Sequence, residues 1–159
     1  MEIIEYEEEY NESVKDLLVE LQEYIASIDK EGYNILTEEF REKSFNKTME
    51  EVSKYEGKIF LAKEENKIIG LIVGLINNEE TKEYDFAAPK RGRVTELIVS
   101  KTTRSKGIGK LLLETMENHF KSVGCKGVLI DVFAYNKIAT DFYIKKGYFN
   151  RTSEMMKLI

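Results

Sequence analysis

RVTELIVSKTTRSKGIGKLLL, residues 93–113, decides how the chain is read. It passes from a β-branched, apolar stretch through a basic turn with two glycines into an apolar helical pattern. Glycines ahead of a helix let an anion approach backbone N–H groups that have no partner within the helix, and the helix dipole favours negative charge there. Two phosphate-binding devices can be tested against the turn. A P-loop needs Gly, four residues, then Gly-Lys-Ser/Thr; here Leu111 follows Gly109-Lys110, and Arg104 stands five residues before Gly109. A dinucleotide fingerprint needs a third small residue where this chain has Leu112. Both fail. What remains is Arg-x-x-Gly-x-Gly at a strand-to-helix junction, read either as a plain connection or as a cradle for a diphosphate.

A second pattern lies downstream. AYNKIATDFYIKKGY, residues 134–148, sets Asn136, Ala139, Phe142, Tyr143 and Gly147 at fixed offsets around a short helical stretch. Taken together, Arg-x-x-Gly-x-Gly and Asn-x-x-Ala-x-x-Phe-Tyr-x-x-x-Gly-Tyr resemble the GNAT superfamily of acetyl-CoA-dependent N-acetyltransferases. The resemblance spans residues 58–150 in motif order. The N-terminal third matches in outline only, as a strand and two helices.

The resemblance implies a set of roles. The pyrophosphate of coenzyme A would rest on Arg104, Ser105, Lys106, Gly107, Ile108 and Gly109, with Lys110 adjoining. Backbone groups of Leu97, Ile98 and Val99 would pair with the pantetheine arm where their strand splays from its neighbour. Asn136 would hydrogen-bond the cofactor, or act as a helix cap, or do both. Tyr143 occupies the position of a phenol beside the cofactor sulfur. When an amine attacks a thioester a thiolate leaves, and a donor there stabilises it; reference values of about 8.5 for a thiol and about 10 for a phenol make the transfer mild. The alternative for Tyr143 is a core aromatic beside Phe142.

The general base is less determined. Glu96, in the strand ahead of the turn, is the first choice, and Asp131, in the facing VLIDVF stretch, the second. Both carboxylates sit in apolar strands, where burial without a partner is costly. An ion pair of Glu96 with Arg91, Arg93 or a lysine is the competing reading. A carboxylate with an ordinary pKa is a weak base towards an ammonium, so it would act through ordered water. His119 reads as a residue on the flank of its helix, and Cys125 has no partner that would make it a nucleophile. Transfer would then be direct.

Around these motifs the chain reads as one α/β (α+β) domain over residues 1–159. The expected fold is a mixed, mostly antiparallel central sheet of six to seven strands, flanked by about four helices and with splayed central strands. Strands are expected over 1–7, within 58–77 with a turn at Glu65-Asn66, over 93–100 and over 127–134. One or two more are expected after residue 147. Helices are expected from Asn11 or Ser13 to near Ile28, over 37–55, over 107–123 and over 137–146, with 78–90 as a loop.

Composition narrows the function classes. Hydrophobic residues make up 42% and charged residues 33% of 159 residues, and no apolar run is long enough to span a bilayer. The acidic start, MEIIEYEEEY, does not read as a targeting peptide. A net charge of -5 argues against nucleic acid. A single cysteine and a single histidine leave no zinc site and fit a cytoplasmic protein. The expected activity is acetyl transfer to a primary amine of a small molecule such as a polyamine, amino acid or aminoglycoside, with acetyl-CoA as co-substrate and no metal. Acetylation of a protein amine and a non-catalytic acyl-CoA sensor are the alternatives, and the resemblance admits a homodimer. Glu79, Glu80, Glu83 and Asp85 would suit a polycationic acceptor, or solvent.

Overall fold

Residues Ile68–Ile76 form an almost unbroken apolar run, which in an antiparallel strand means that both faces are covered. The computed structural model, which describes residues 1–77, 81–84, 86–103 and 107–159, shows what covers them. In chain order the elements are β1 (Glu2–Glu5), α1 (Asn11–Ile28), α2 (Phe40–Lys54), β2 (Lys58–Glu64), β3 (Lys67–Asn77), β4 (Thr81–Lys82), β5 (Ala87–Ala88), β6 (Arg91–Val99), α3 (Ile108–Ser122), β7 (Val128–Ile130) and α4 (Lys137–Lys145). The central sheet has five strands in the order β1-β2-β3-β6-β7. Its pairings are antiparallel except the last, β6 with β7, which is parallel.

Helix α3 covers one face. Its Ile108, Leu112, Leu113, Met116 and Phe120 pack with Ala62, Ile72, Ile76 and Val94. Helices α1 and α2 cover the other, where Val14, Leu17, Leu18 and Phe45 meet Leu61, Leu71, Val73 and Ile98. The α3 contact is close because the sheet is bare beneath it. A Cβ on Gly74 would stand 2.3 Å from the Met116 sulfur, and one on Gly92 would stand 2.4 Å from the Phe120 ring.

The expected mixed, mostly antiparallel sheet with four flanking helices is the one observed. Several details differ. The central sheet stops at five strands, because residues 149–159 carry no strand and remain exposed. The apolar stretch at 127–134 is a strand only from Val128 to Ile130, since the chain turns away from β6 there. The 78–90 segment includes the two-stranded β4–β5 ribbon. Neither Asn11 nor Ser13 caps α1: the N-cap is Tyr10, without a side-chain bond, and Asn11 instead accepts the Tyr6 hydroxyl.

Two loops are tied together beside the open end of the sheet. The Asp29 carboxylate accepts the backbone N–H groups of Glu31 (3.1 Å) and Asn34 (2.7 Å) and the Asn34 amide (2.8 Å). Those bonds, the Asn34 backbone bond foremost, hold its carboxyl down at about 2. In the loop that follows β7, Tyr135 donates to Glu31 at 2.7 Å, and the Lys30 ammonium sits 4.9 Å from the Tyr135 ring centre. The loop after α1 is thus tied to the loop after β7.

Candidate active site

Strands β6 and β7 pair over three positions, Gly92 with Val128, Arg93 with Leu129 and Val94 with Ile130. Beyond them β6 runs on along β3 to Val99 while the chain after Ile130 departs. A parallel pair that separates in this way leaves a wedge beside the backbone of β6. Two adjoining cavities fill it, of about 530 Å³ and about 490 Å³. Leu21, Leu97, Asn136, Ala139 and Tyr143 line both, so the two spaces meet at those side chains.

The second cavity holds most of the expected cofactor positions. Leu97, Ile98, Val99, Gly107, Ile108, Gly109, Lys110, Asn136 and Tyr143 all line it. Arg104, Ser105 and Lys106 lie outside the described residues. Gly107, the N-cap of α3, has φ 77°, a left-handed conformation that favours glycine. The first helical hydrogen bond runs from Leu111 N–H to the Gly107 carbonyl at 3.2 Å, so the N–H groups of Ile108, Gly109 and Lys110 precede the helical ladder. Gly109 is not demanded by the protein itself. A Cβ there would meet Val99 at 3.7 Å and Phe142 at 3.9 Å, both ordinary contacts, and would project towards the cavity. A bare backbone at a helix N-terminus, beside an extended strand edge, fits an elongated anionic ligand such as coenzyme A.

Tyr143 is buried, with its ring edge-on to Phe142 (5.2 Å) and Tyr148 (5.6 Å). Burial pushes its phenol up to about 12. It is therefore both a core aromatic and a cavity wall, and its hydroxyl holds its proton across the physiological range. Asn136 caps α4 by accepting the Ala139 N–H at 3.1 Å, and the same oxygen accepts the Tyr24 hydroxyl at 3.3 Å. With that oxygen engaged, the Asn136 amide N–H₂ is the group left to face a ligand.

Glu96 lines the first cavity only. It reaches that position through a one-residue bulge: Val73 pairs with Glu96 and Gly74 with Val94, so Thr95 is the extra residue. Val94 packs on the α3 face and Ile98 on the opposite face, although a regular strand would keep both on one side. Burial, first, and the Glu51 carboxylate hold the Glu96 carboxyl above the usual glutamate range, against the downward pull of the Thr95 hydroxyl and the Lys47 charge.

Asp131 differs from its expected setting. It is not embedded among apolar side chains but exposed, because β7 has ended one residue earlier, and it pairs with Arg93. The ion pair considered for Glu96 is thus formed by Asp131. Asp131 still lines the first cavity. His119 lies on the flank of α3, edge-on to Phe60 at 6.0 Å and lining neither cavity, with its pKa lowered by burial and then by Lys58. Cys125 is buried, which raises its thiol pKa. Among the described residues no cluster of His, Cys, Asp and Glu could hold a metal ion, and no helix is long and apolar enough to cross a membrane.

Sequence reasoning passed over Glu51, Lys47 and Tyr24. Glu51 and Lys47 line the first cavity from α2, which carries no motif. Tyr24 was legible as a member of the α1 apolar stripe, but nothing local marks its hydroxyl as a partner of Asn136, more than a hundred positions away.

Residues 22–148 match the Acetyltransferase (GNAT) family. The chain belongs to that family. It is similar to glucosamine 6-phosphate N-acetyltransferase of Arabidopsis thaliana, at 27% identity over 79% of this chain and 83% of the relative. The crystal structure of that protein superposes with a TM-score of 0.64 at 25% identity, covering 99% of this chain and 97% of the other. The tetramutant of BH1408 protein from Bacillus halodurans shares the fold with a TM-score of 0.82 at 20% identity, over the full length of both chains. AAC(6')-Iy, solved in complex with the bisubstrate analogue CoA-S-monomethyl-acetylneamine, shares it with a TM-score of 0.69 at 13% identity, over 99% of this chain and 98% of that one. The protein is thus a GNAT acetyltransferase, and its β6–β7 wedge and α3 turn are read as parts of an acetyl-transferring enzyme.

Proposed function

We propose that this enzyme moves an acetyl group from acetyl-CoA directly to a primary amine of a small molecule. The observation that carries the proposal is the meeting of two cavities at Tyr143, with Glu96 on one side and the α3 N-terminus on the other. Bound along β6 and the α3 turn, acetyl-CoA supplies the acetyl group as a thioester, whose C–S bond breaks as the acceptor's C–N bond forms.

The chain's own residues divide the remaining work. The N–H groups of Ile108, Gly109 and Lys110 and the helix dipole bind the diphosphate. The amide of Asn136 and the edge of β6 at Leu97–Val99 orient the rest of the cofactor. Tyr143 donates its hydroxyl proton towards the departing sulfur. Its pKa of about 12 makes complete transfer to an ordinary thiolate uphill, but burial raises the thiolate as well, and a hydrogen bond in a water-poor site stabilises it. Glu96 takes the proton of the acceptor ammonium through water. Its raised pKa brings it nearer to that of the amine, which makes it a better base than an exposed carboxylate. Asp131, neutralised by Arg93, is the weaker candidate.

The relative and the structural neighbour that act on, or are complexed with, small amino compounds support a small-molecule acceptor. So does the cavity volume, which suits a metabolite. The cysteine content supports a cytoplasmic location. The test is thiol release from acetyl-CoA with small amines and with basic peptides as acceptors. Turnover with small amines is expected. Turnover with peptides alone would replace the reading with protein acetylation, and binding of coenzyme A with no thiol release for any acceptor would replace it with a sensor.

A further inference from the structure

The walls of the acceptor cavity bear on what kind of amine enters it. Leu18, Leu21, Ile25, Phe40, Val132 and Phe133 supply an aliphatic and aromatic surface. Apart from Asn136 and Tyr143, which serve the cofactor, and the buried Thr48, the uncharged polar side chains around them are already engaged within the protein. Gln22 donates to the Ile35 carbonyl at 2.7 Å, Ser44 to the Arg41 carbonyl at 3.4 Å, and Thr95 to Glu96. The charges cancel in neighbouring pairs, Lys43 with Glu39, Lys47 with Glu51, and Arg93 with Asp131. Glu96 is the lining carboxylate without an ion pair among the described residues, its direct partner being the neutral Thr95 hydroxyl.

We infer that the acceptor is a primary amine on an aliphatic or aromatic body, with the ammonium directed to Glu96 and the body against the Phe40–Phe133 walls. This rests on the acetyl-transfer reading and names its substrate class. A polyhydroxylated acceptor would bring hydroxyls that find few unengaged partners here, and an unmet buried polar group is penalised. A polycation would find one carboxylate without an ion pair, Glu96, the other two, Glu51 and Asp131, being held by Lys47 and Arg93. Gln22, a lining residue, also holds the backbone of Ile35, and Tyr33, Ile35 and Leu36 stand 66%, 60% and 41% exposed in the loop after α1.

The experiment measures thiol release and, in the presence of coenzyme A, the thermal shift caused by each amine. The panel holds n-alkylamines of increasing length, phenethylamine, spermidine and glucosamine 6-phosphate. On the inference, kcat/KM and the thermal shift climb together by about three- to fourfold in affinity per methylene until the cavity is filled, and Phe133→Ser and Val132→Thr flatten the climb. Highest kcat/KM with spermidine or glucosamine 6-phosphate overturns the acceptor class and leaves acetyl transfer standing. A length-dependent thermal shift without thiol release leaves an apolar amine-binding cavity standing and overturns the acetyl-transfer reading that makes the amine an acceptor. Neither shift nor release with any alkyl- or arylalkylamine overturns the inference.

Discussion

Thr95 and Glu96 are adjacent in sequence yet present their side chains to the same face of the sheet, and the Thr95 hydroxyl donates to the Glu96 carboxylate. Neighbours in a regular strand point to opposite faces. The bulge at Thr95 removes that alternation for one step, so Glu96 turns away from α3 towards the cavity between α1, α2 and β7. The bulge thereby determines which side of the sheet carries the carboxylate, and three consequences follow for Glu96 and its neighbours.

Glu96→Gln should cost about 10²-fold or more in turnover, the usual scale for a lost general base. It should also abolish the acid limb of the rate profile. Because the wild-type pKa is raised, that limb lies above the ordinary glutamate range. Asp131→Asn should change the rate far less. A steady-state profile of all three proteins checks this, and a Glu96→Gln rate matching the wild type would remove Glu96 from the mechanism.

The same substitution should stabilise the fold near neutral pH. A carboxyl with a raised folded pKa adds stability below its unfolded value, and that contribution is lost as pH rises through the folded value. Holding a carboxyl at this buried position therefore costs the native state stability near neutral pH, and Gln relieves it. Melting curves should show Glu96→Gln above the wild type there, with the gap closing towards about pH 4, where the native carboxyl holds its proton.

Thr95→Val keeps the shape of the strand and removes the hydroxyl that pulls the Glu96 carboxyl down. The acid limb should move to higher pH with little loss at the plateau. An unmoved limb would show that Thr95 does not act on Glu96.

Gly109 and Tyr143 test the two sides of the cavity junction. Gly109→Ala meets only ordinary contacts, so its melting temperature without ligand should change by no more than about 0.5 kcal/mol equivalent. The thermal shift caused by coenzyme A should shrink for Gly109→Ala and vanish for Gly109→Glu. Tyr143→Phe should keep that shift while turnover falls about 10²-fold.

Gly92→Ala tests the fold apart from the site. Its Cβ would stand 2.4 Å from the buried Phe120 ring, so α3 must move or the ring must turn. A loss of about 1–3 kcal/mol is expected in denaturant titration.

Much of this was legible locally. The stripe of Ile108, Leu112, Met116 and Phe120 marks α3 by its period, and the run at 68–76 marks a strand buried on both faces. Gly107, Gly109, Asn136 and Tyr143 stand out through motif spacing, and all four line one cavity. The length of β7 was not legible. VLIDVFA reads as one strand because its residues suit one, whereas the strand ends where the chain after Ile130 leaves the edge of β6. The setting of Asp131 was missed for the same reason.

The order of the elements, the apolar run of the central strand and the glycine turn at the head of α3 can all be read along the chain. Those properties depend on periodicity, backbone freedom and side-chain type, which neighbouring residues carry. The parting of β6 and β7 after Val94, the Thr95 bulge that turns Glu96 into the first cavity and the pairing of Asp131 with Arg93 emerge only when distant segments meet. Pairing register is a relation between strands distant in the chain, and one inserted residue reverses every side chain beyond it.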